Sequence, residues 1–166
     1  MADRDHFYLE TVFPETEKLF SFEFEELDKA AKDAIYVLDT NVLISAIVFK
    51  GIPERILKLC ILENKFDGVI SPEILAELVK KLKFKFGFSD ELIKEWELIF
   101  KNTFKNMLPF YNIKVCRDPD DNKIIDLAVF SGAEYIITGD KDLLSLGKYK
   151  DIKIITPIDF FNLQSY

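Results

Sequence analysis

The stretch Ile35–Phe49, read as IYVLDTNVLISAIVF, constrains the fold more than any other part of the chain. Ile35 to Leu38 run apolar without a polar break and stop at Asp39. A run of that kind fits a strand buried on both faces, as in the middle of a parallel sheet. Thr40 and Asn41 supply a turn, and Val42, Leu43, Ala46 and Ile47 then recur at helical spacing. Asp39 therefore falls at the carboxyl end of a central strand, where open α/β sheets bind their ligands. Two readings of Asp39 stand side by side: a metal ligand held by rigid elements, or a cap of the following helix.

The rest of the chain repeats the alternation. Gly51 and Pro53 break it, and Ile56, Leu57, Cys60 and Ile61 form the stripe of a second helix. Asn64 and Gly68 flank a turn before a short strand at Val69–Ile70. Ser71 is an N-cap with Pro72 in the first helical position, and that helix is expected to reach about Phe86. Gly87 ends it, and Ser89 caps another helix expected from Asp90 to about Met107, so the two make a long helical hairpin. Tyr111–Val115 is a strand candidate, followed by a helix from Asn122 to about Phe130 closed by Gly132. Tyr135–Thr138 is a strand, Gly139 and Asp140 lead a short helix through Leu146, Ile152–Ile155 is a last strand, and Thr156-Pro157 opens a terminal helix. Strands alternating with helices predict an α/β fold with a mainly parallel central sheet flanked by helices.

At 166 residues the chain suits one folded domain. No apolar run approaches the roughly 20 residues of a membrane helix, and MADRDHFYLE is too acidic and polar for a secretory signal. A cytoplasmic protein is expected. Cys60 and Cys116 lie far apart, form no CxxC unit and read as buried thiols. The net charge is −7, and residues 1–34 hold ten acids and four bases, or −6. The remainder is near neutral, which leaves nucleic acid open as a partner, because phosphate contacts need only a local basic patch. Residues 1–34 form an acidic, aromatic extension and 35–166 the main domain. The extension is rich in aromatics (Phe7, Tyr8, Phe13, Phe20, Phe22 and Phe24), so it is expected to pack on the body or on a second copy.

Four acidic spots share one position type, just past a strand or on the first turns of the helix after it. They are Asp39; Glu73 and Glu77; Asp118, Asp120 and Asp121; and Asp140 and Asp142. A parallel sheet gathers all four at one edge. Two carboxylates about 4 Å apart repel by roughly 4 kcal/mol at an effective dielectric near 20. A divalent cation removes that cost, and all-oxygen ligands suit Mg²⁺ or Mn²⁺. Each spot also has a structural explanation: the helix dipole for Glu73, a cap for Asp118, a cap for Asp140 or Asp142. The recurrence at four equivalent places is what those explanations handle poorly.

The ordered segments LDTNVLISA, SPEILAEL, RDPDDNKIIDLA and IITGDKDLL resemble the PIN-domain ribonucleases, in the prokaryotic branch that includes VapC-like toxins. The resemblance runs from about Ile35 to Phe161. It implies a three-layer PIN-like fold and a Mg²⁺- or Mn²⁺-dependent endonuclease of single-stranded RNA, leaving 5′-phosphate and 3′-hydroxyl ends. Asp39, Glu77, Asp121 and Asp140 match the acids that hold one or two ions, with Asp118 or Asp120 as substitutes for Asp121. Asn41, Ser45 and Thr138 match the supporting polar residues. A homodimer and an antitoxin partner are further implications of the family. His6 is a bystander.

RNA contacts are expected from Lys80, Lys81, Lys141 and Lys148. Lys83, Lys85 and Lys94, with Phe84, Phe86 and Phe88, otherwise read as a solvated face with core or dimer-forming aromatics. A haloacid-dehalogenase-type phosphotransferase needs a second Asp where this chain has Asn41. GxGxxG, GxxxxGK[ST] and GxSxG strings are absent. A non-catalytic PIN-like binding module that recruits a protein or RNA partner is the remaining alternative. A further expectation is that the acidic extension covers the RNA path as an electrostatic mimic.

Overall fold

The computed structural model describes residues 34–62 and 67–163. The acidic extension up to residue 33 and the turn at Asn64 lie outside the described residues.

Strand β1 spans Ile35–Leu38 and runs directly into helix α1, Thr40–Ile44. The helix then widens into a π-helical turn, Ser45–Phe49. Helix α2 (Ile52–Ile61), β2 (Asp67–Ile70), α3 (Pro72–Phe84) and α4 (Asp90–Thr103) follow. Next come β3 (Lys105–Asn106), a 3₁₀ turn at Pro119–Asp121, and α5 (Asn122–Ser131). The chain continues through β4 (Tyr135–Ile137), α6 (Lys141–Leu146), β5 (Lys148–Tyr149), β6 (Ile152–Ile155) and α7 (Pro157–Leu163).

The six strands lie in the order β3-β2-β1-β4-β6-β5, all parallel except β5 against β6. Tyr36, Val37 and Leu38 are all buried. Successive strand residues point to opposite faces, so both faces of the central strand are covered, as the apolar run predicts. Tyr36 stands opposite Tyr135 in the register and stacks on it at 5.4 Å, while Phe160 of α7 meets Tyr36 edge-on at 4.9 Å.

The hairpin α3–α4 forms where its start signals are satisfied, but α4 stops at Thr103 instead of reaching about Met107, because Lys105–Asn106 pairs with β2. Ser71 Oγ accepts from the Ile74 amide and Ser89 Oγ from the Leu92 amide. Its apolar stripe buries Leu78, Leu82, Ile93 and Trp96. The hairpin phenylalanines divide: Phe86 and Phe88 pack against the core, whereas Phe84 is exposed. Cys60 is buried and Cys116 only half-buried.

One expected element is wrong. Tyr111–Val115 is not a strand. Its amides are taken by side chains of α5 instead: Ile113 N–H donates to Asp126 Oδ1, and Val115 and Cys116 N–H both donate to Asn122 Oδ1. The strand beside β2 is the polar pair Lys105–Asn106. A two-residue edge strand has no apolar alternation to reveal it.

Strand order runs outward from β1 in one direction through β2 and β3, and from β4 in the other through β6. The chain therefore changes direction between β1 and β4. A crevice forms at such a point, beyond the carboxyl ends of the strands. Asp39 ends β1 and Thr138 ends β4 there, with Asp39 N–H donating to Ile137 O at 3.0 Å.

Candidate functional site

Asp39 heads α1 but spends no side-chain oxygen on an N-cap hydrogen bond. Its Oδ2 accepts from Thr138 Oγ1 at 2.8 Å, across the two central strands. Asp39 is only 6% exposed and Thr138 fully buried. Burial raises the Asp39 pKa above the ordinary range, Thr138 and the Asn41 amide oppose this, and the charges of Glu77 and Asp140 add to it. Among the described residues its one side-chain partner, Thr138, lies at the end of the neighbouring strand rather than in α1.

Thr138 Oγ1 also accepts from the Asp140 amide at 2.9 Å, so one hydroxyl ties both acids together. Asp140 does cap α6: its Oδ1 accepts from the amides of Asp142 and Leu143. Among the described residues no partner bonds its Oδ2, which leaves that oxygen for a ligand. Asp142 sits half-buried in the first turn of α6.

Asp118 caps the 3₁₀ turn, Oδ1 accepting from the Asp120 amide, and Asp118 and Asp120 are both exposed. Asp121 follows, half-buried and free of that duty. Its pKa is pushed up to about 6, first by burial and then by the charges of Asp140, Asp118, Asp39 and Asp142. Repulsion among Asp39, Asp121 and Asp140 is the electrostatic sign that the sheet edge has gathered them. The Cys116 thiol feels the same field: burial, then Asp121, Asp118, Asp140 and Asp142, push it up to about 11.

Glu77, on the second turn of α3, lies beside this cluster, but both of its oxygens are engaged. Oε1 pairs with Lys81 Nζ at 2.7 Å, and Oε2 pairs with Lys123 Nζ at 2.8 Å and accepts from Thr40 Oγ1 at 2.9 Å. Burial alone raises its pKa, yet Lys123, Lys81 and Thr40 outweigh burial and hold it down to about 2. Glu73 is exposed on the first turn of α3, where the helix dipole explains it.

Asn41, Ser45, Gly139, Asp140, Lys141 and Asp142 line an open cleft of about 520 Å³ beside the cluster. Lys81 Nζ donates to Asn41 Oδ1 at 3.3 Å. Lys80 is exposed and without a role in this geometry. Lys148 pairs with Lys153, which in turn pairs with Tyr135 at the start of β4. The register thus carries Lys148 away from the acidic edge. Two site residues escaped the sequence reading. Thr40 reads as a turn residue in the sequence, and the one signal of Lys123 is that a cation in the first turn of a helix opposes the dipole and so needs a specific partner.

The donor set is carboxylate and amide oxygen, which suits a hard divalent cation. Among the described residues no three acidic, histidine or cysteine side chains stand ready-spaced for an ion. Mg²⁺ commonly takes one or two carboxylates and keeps waters for the rest, a demand these donors meet.

A PIN domain family model matches residues 35–142, from β1 into the first turn of α6. The chain belongs to the PIN domain family. Its match therefore spans every acidic group described above. PIN domains are generally nucleases. The uncharacterized protein MJ1680 of Methanocaldococcus jannaschii is 43% identical over 138 residues, covering 75% of this chain and 87% of that protein. Among solved structures, VapBC2 from Rickettsia felis bound to a DNA fragment from their promoter aligns with a TM-score of 0.52 at 17% identity, covering 74% of this chain and 98% of that one. That likeness is one of fold, and it agrees with the mainly parallel, helix-flanked sheet of this PIN domain. Among the described residues no helix is long and apolar enough to cross a membrane.

Proposed function

We propose that this PIN domain is a Mg²⁺- or Mn²⁺-dependent endoribonuclease that hydrolyses phosphodiester bonds of single-stranded RNA. The observation that carries the reading is the Asp39–Thr138–Asp140 linkage at the change of strand direction, with Asp121, raised to about 6 by burial and then by the neighbouring acids, at the start of α5. Asp39, Asp121 and Asp140 are the acids that would hold the ion, one or two of them directly and the rest through its waters. A divalent cation there supplies polarisation of a phosphoryl oxygen and acidification of a water. The chain's own part is to fix the donors. Thr138 orients Asp39 Oδ2, and the α6 amides fix Asp140 Oδ1 and leave Oδ2 for a ligand. Asn41 and Lys141 line the open cleft, on the path an extended strand would take away from the acids.

In the cell the partner on this reading is RNA, with an antitoxin protein and a second copy of the chain as candidates of the same family. The residues 1–34 would then be a separate unit that adds charge rather than catalytic groups.

The test is cleavage of a labelled single-stranded RNA with Mn²⁺ or Mg²⁺ by the parent, Asp39→Asn and Asp121→Asn. Each variant should lose at least about 100-fold in rate. Equal cleavage by all three would remove this site, and a parent inert towards RNA under every metal would favour a binding module instead.

A further inference from the structure

We propose that Lys81 and Lys123, held on Glu77, form a phosphate-recognising pair beside the carboxylate cluster, and that Glu77 is their anchor rather than a ligand of the ion. The inference rests on the nuclease reading and names how that site would take hold of its polyanionic substrate.

Three acids that attract a divalent cation to one sheet edge also repel the singly charged phosphodiester. Something near them must favour the substrate. Glu77 carries one negative charge and collects two ammonium groups, one from its own helix α3 and one from α5. The trio is therefore net positive by one. Oε2 is filled by Lys123 and Thr40, and Oε1 is engaged by Lys81. An ion bound through Glu77 would compete with contacts of 2.7, 2.8 and 2.9 Å that already hold the carboxylate.

The two lysines retain donors of their own. An ammonium group has three. Lys123 spends one on Glu77; Lys81 spends one on Glu77 and another on Asn41, which lines the cleft. Lys123 lies two residues after Asp121, so its head group is tied to the same helix start as the acid. The pair thus spans the gap between the cluster and the cleft wall. Lys81 and Lys123 remain 35% and 16% exposed, which leaves them accessible to a strand laid across the site. A lone surface ion pair contributes roughly 0–1 kcal/mol, a small return for drawing a lysine into a helix first turn against the dipole.

The experiment uses the full chain and two binding readouts. Mn²⁺ affinity is measured by electron paramagnetic resonance. Affinity for a fluorescent single-stranded RNA dodecamer is measured in EDTA across a KCl series. Glu77→Gln should keep Mn²⁺ affinity within about twofold, whereas Asp39→Asn should lose at least about tenfold. Lys123→Gln and Lys81→Gln should each weaken RNA binding about tenfold, and each should reduce the logarithmic salt slope by about 0.7, the loss of one phosphate contact. Lys123→Arg should restore both quantities, and melting curves verify that every variant is folded. Two results overturn the proposal: Glu77→Gln losing Mn²⁺ as Asp39→Asn does, or both lysine variants binding RNA with the parent's affinity and slope. A parent that binds neither Mn²⁺ nor RNA overturns the nuclease reading itself, and is recognisable as that different failure.

Discussion

Thr138 hides its only hydroxyl between the Asp39 carboxylate and the Asp140 backbone amide, and removing it separates packing from chemistry. Thr138→Val keeps the shape but leaves buried Asp39 Oδ2 without its donor. The change should cost about 1–3 kcal/mol, read as a lower melting temperature, and should cut metal-dependent cleavage about 10–100-fold. Thr138→Ser should recover most of both. Asp121 behaves in the opposite sense. Its folded pKa of about 6 lies above the ordinary 3.8, so the folded protein holds this proton longer than the unfolded chain does. Stability is therefore lost as pH rises from 3.8 through about 6. Without metal, Asp121→Asn should be more stable than the parent at pH 7 by about 1 kcal/mol, after allowance for solvent screening, and so melt at a higher temperature. The gap should close at pH 4, where the folded parent is already protonated. Scanning calorimetry in EDTA at the two pH values checks it.

Elements were legible where their signals are local. Ser71 and Ser89 cap, Gly132 closes α5 in the left-handed conformation, and the buried run of β1 needs no partner to be recognised. Elements that depend on distant side chains were not legible. The segment Tyr111–Val115 has strand-like residues, but Asn122 and Asp126 take its amides before a neighbouring strand can. The π-helical turn after α1 likewise leaves no mark in the apolar spacing. Gly68 shows what packing between elements demands. A Cβ there would stand 2.5 Å from Cε1 of Phe104, a buried ring packed against Phe100 at 5.1 Å. Gly68→Ala should cost about 1–3 kcal/mol by overpacking, seen as a lower urea midpoint at unchanged slope. Gly68→Ala combined with Phe104→Leu should recover part of the loss.

Across the whole molecule, charge is unevenly placed. Residues 1–33 carry ten acids and four bases, and so account for −6 of the −7. A chain starting at Ala34 should therefore bind RNA more tightly than the full chain. The difference should be largest at low salt and fade as the Debye length shrinks. Equal affinities by fluorescence anisotropy at every salt concentration would dismiss the electrostatic role of that segment. The covalent order of the chain already contained the α/β alternation, the buried central strand and the acids stationed after each strand, because apolar periodicity and capping are properties of neighbouring residues. Only the folded sheet decided which acids meet. Asp39 and Asp140 are joined through Thr138 because β1 and β4 are adjacent, although Asp39 and Thr138 are 99 positions apart in the chain. Glu77 was given to Lys81 and Lys123 by the packing of α3 against α5, a contact between helices that no spacing within either helix encodes.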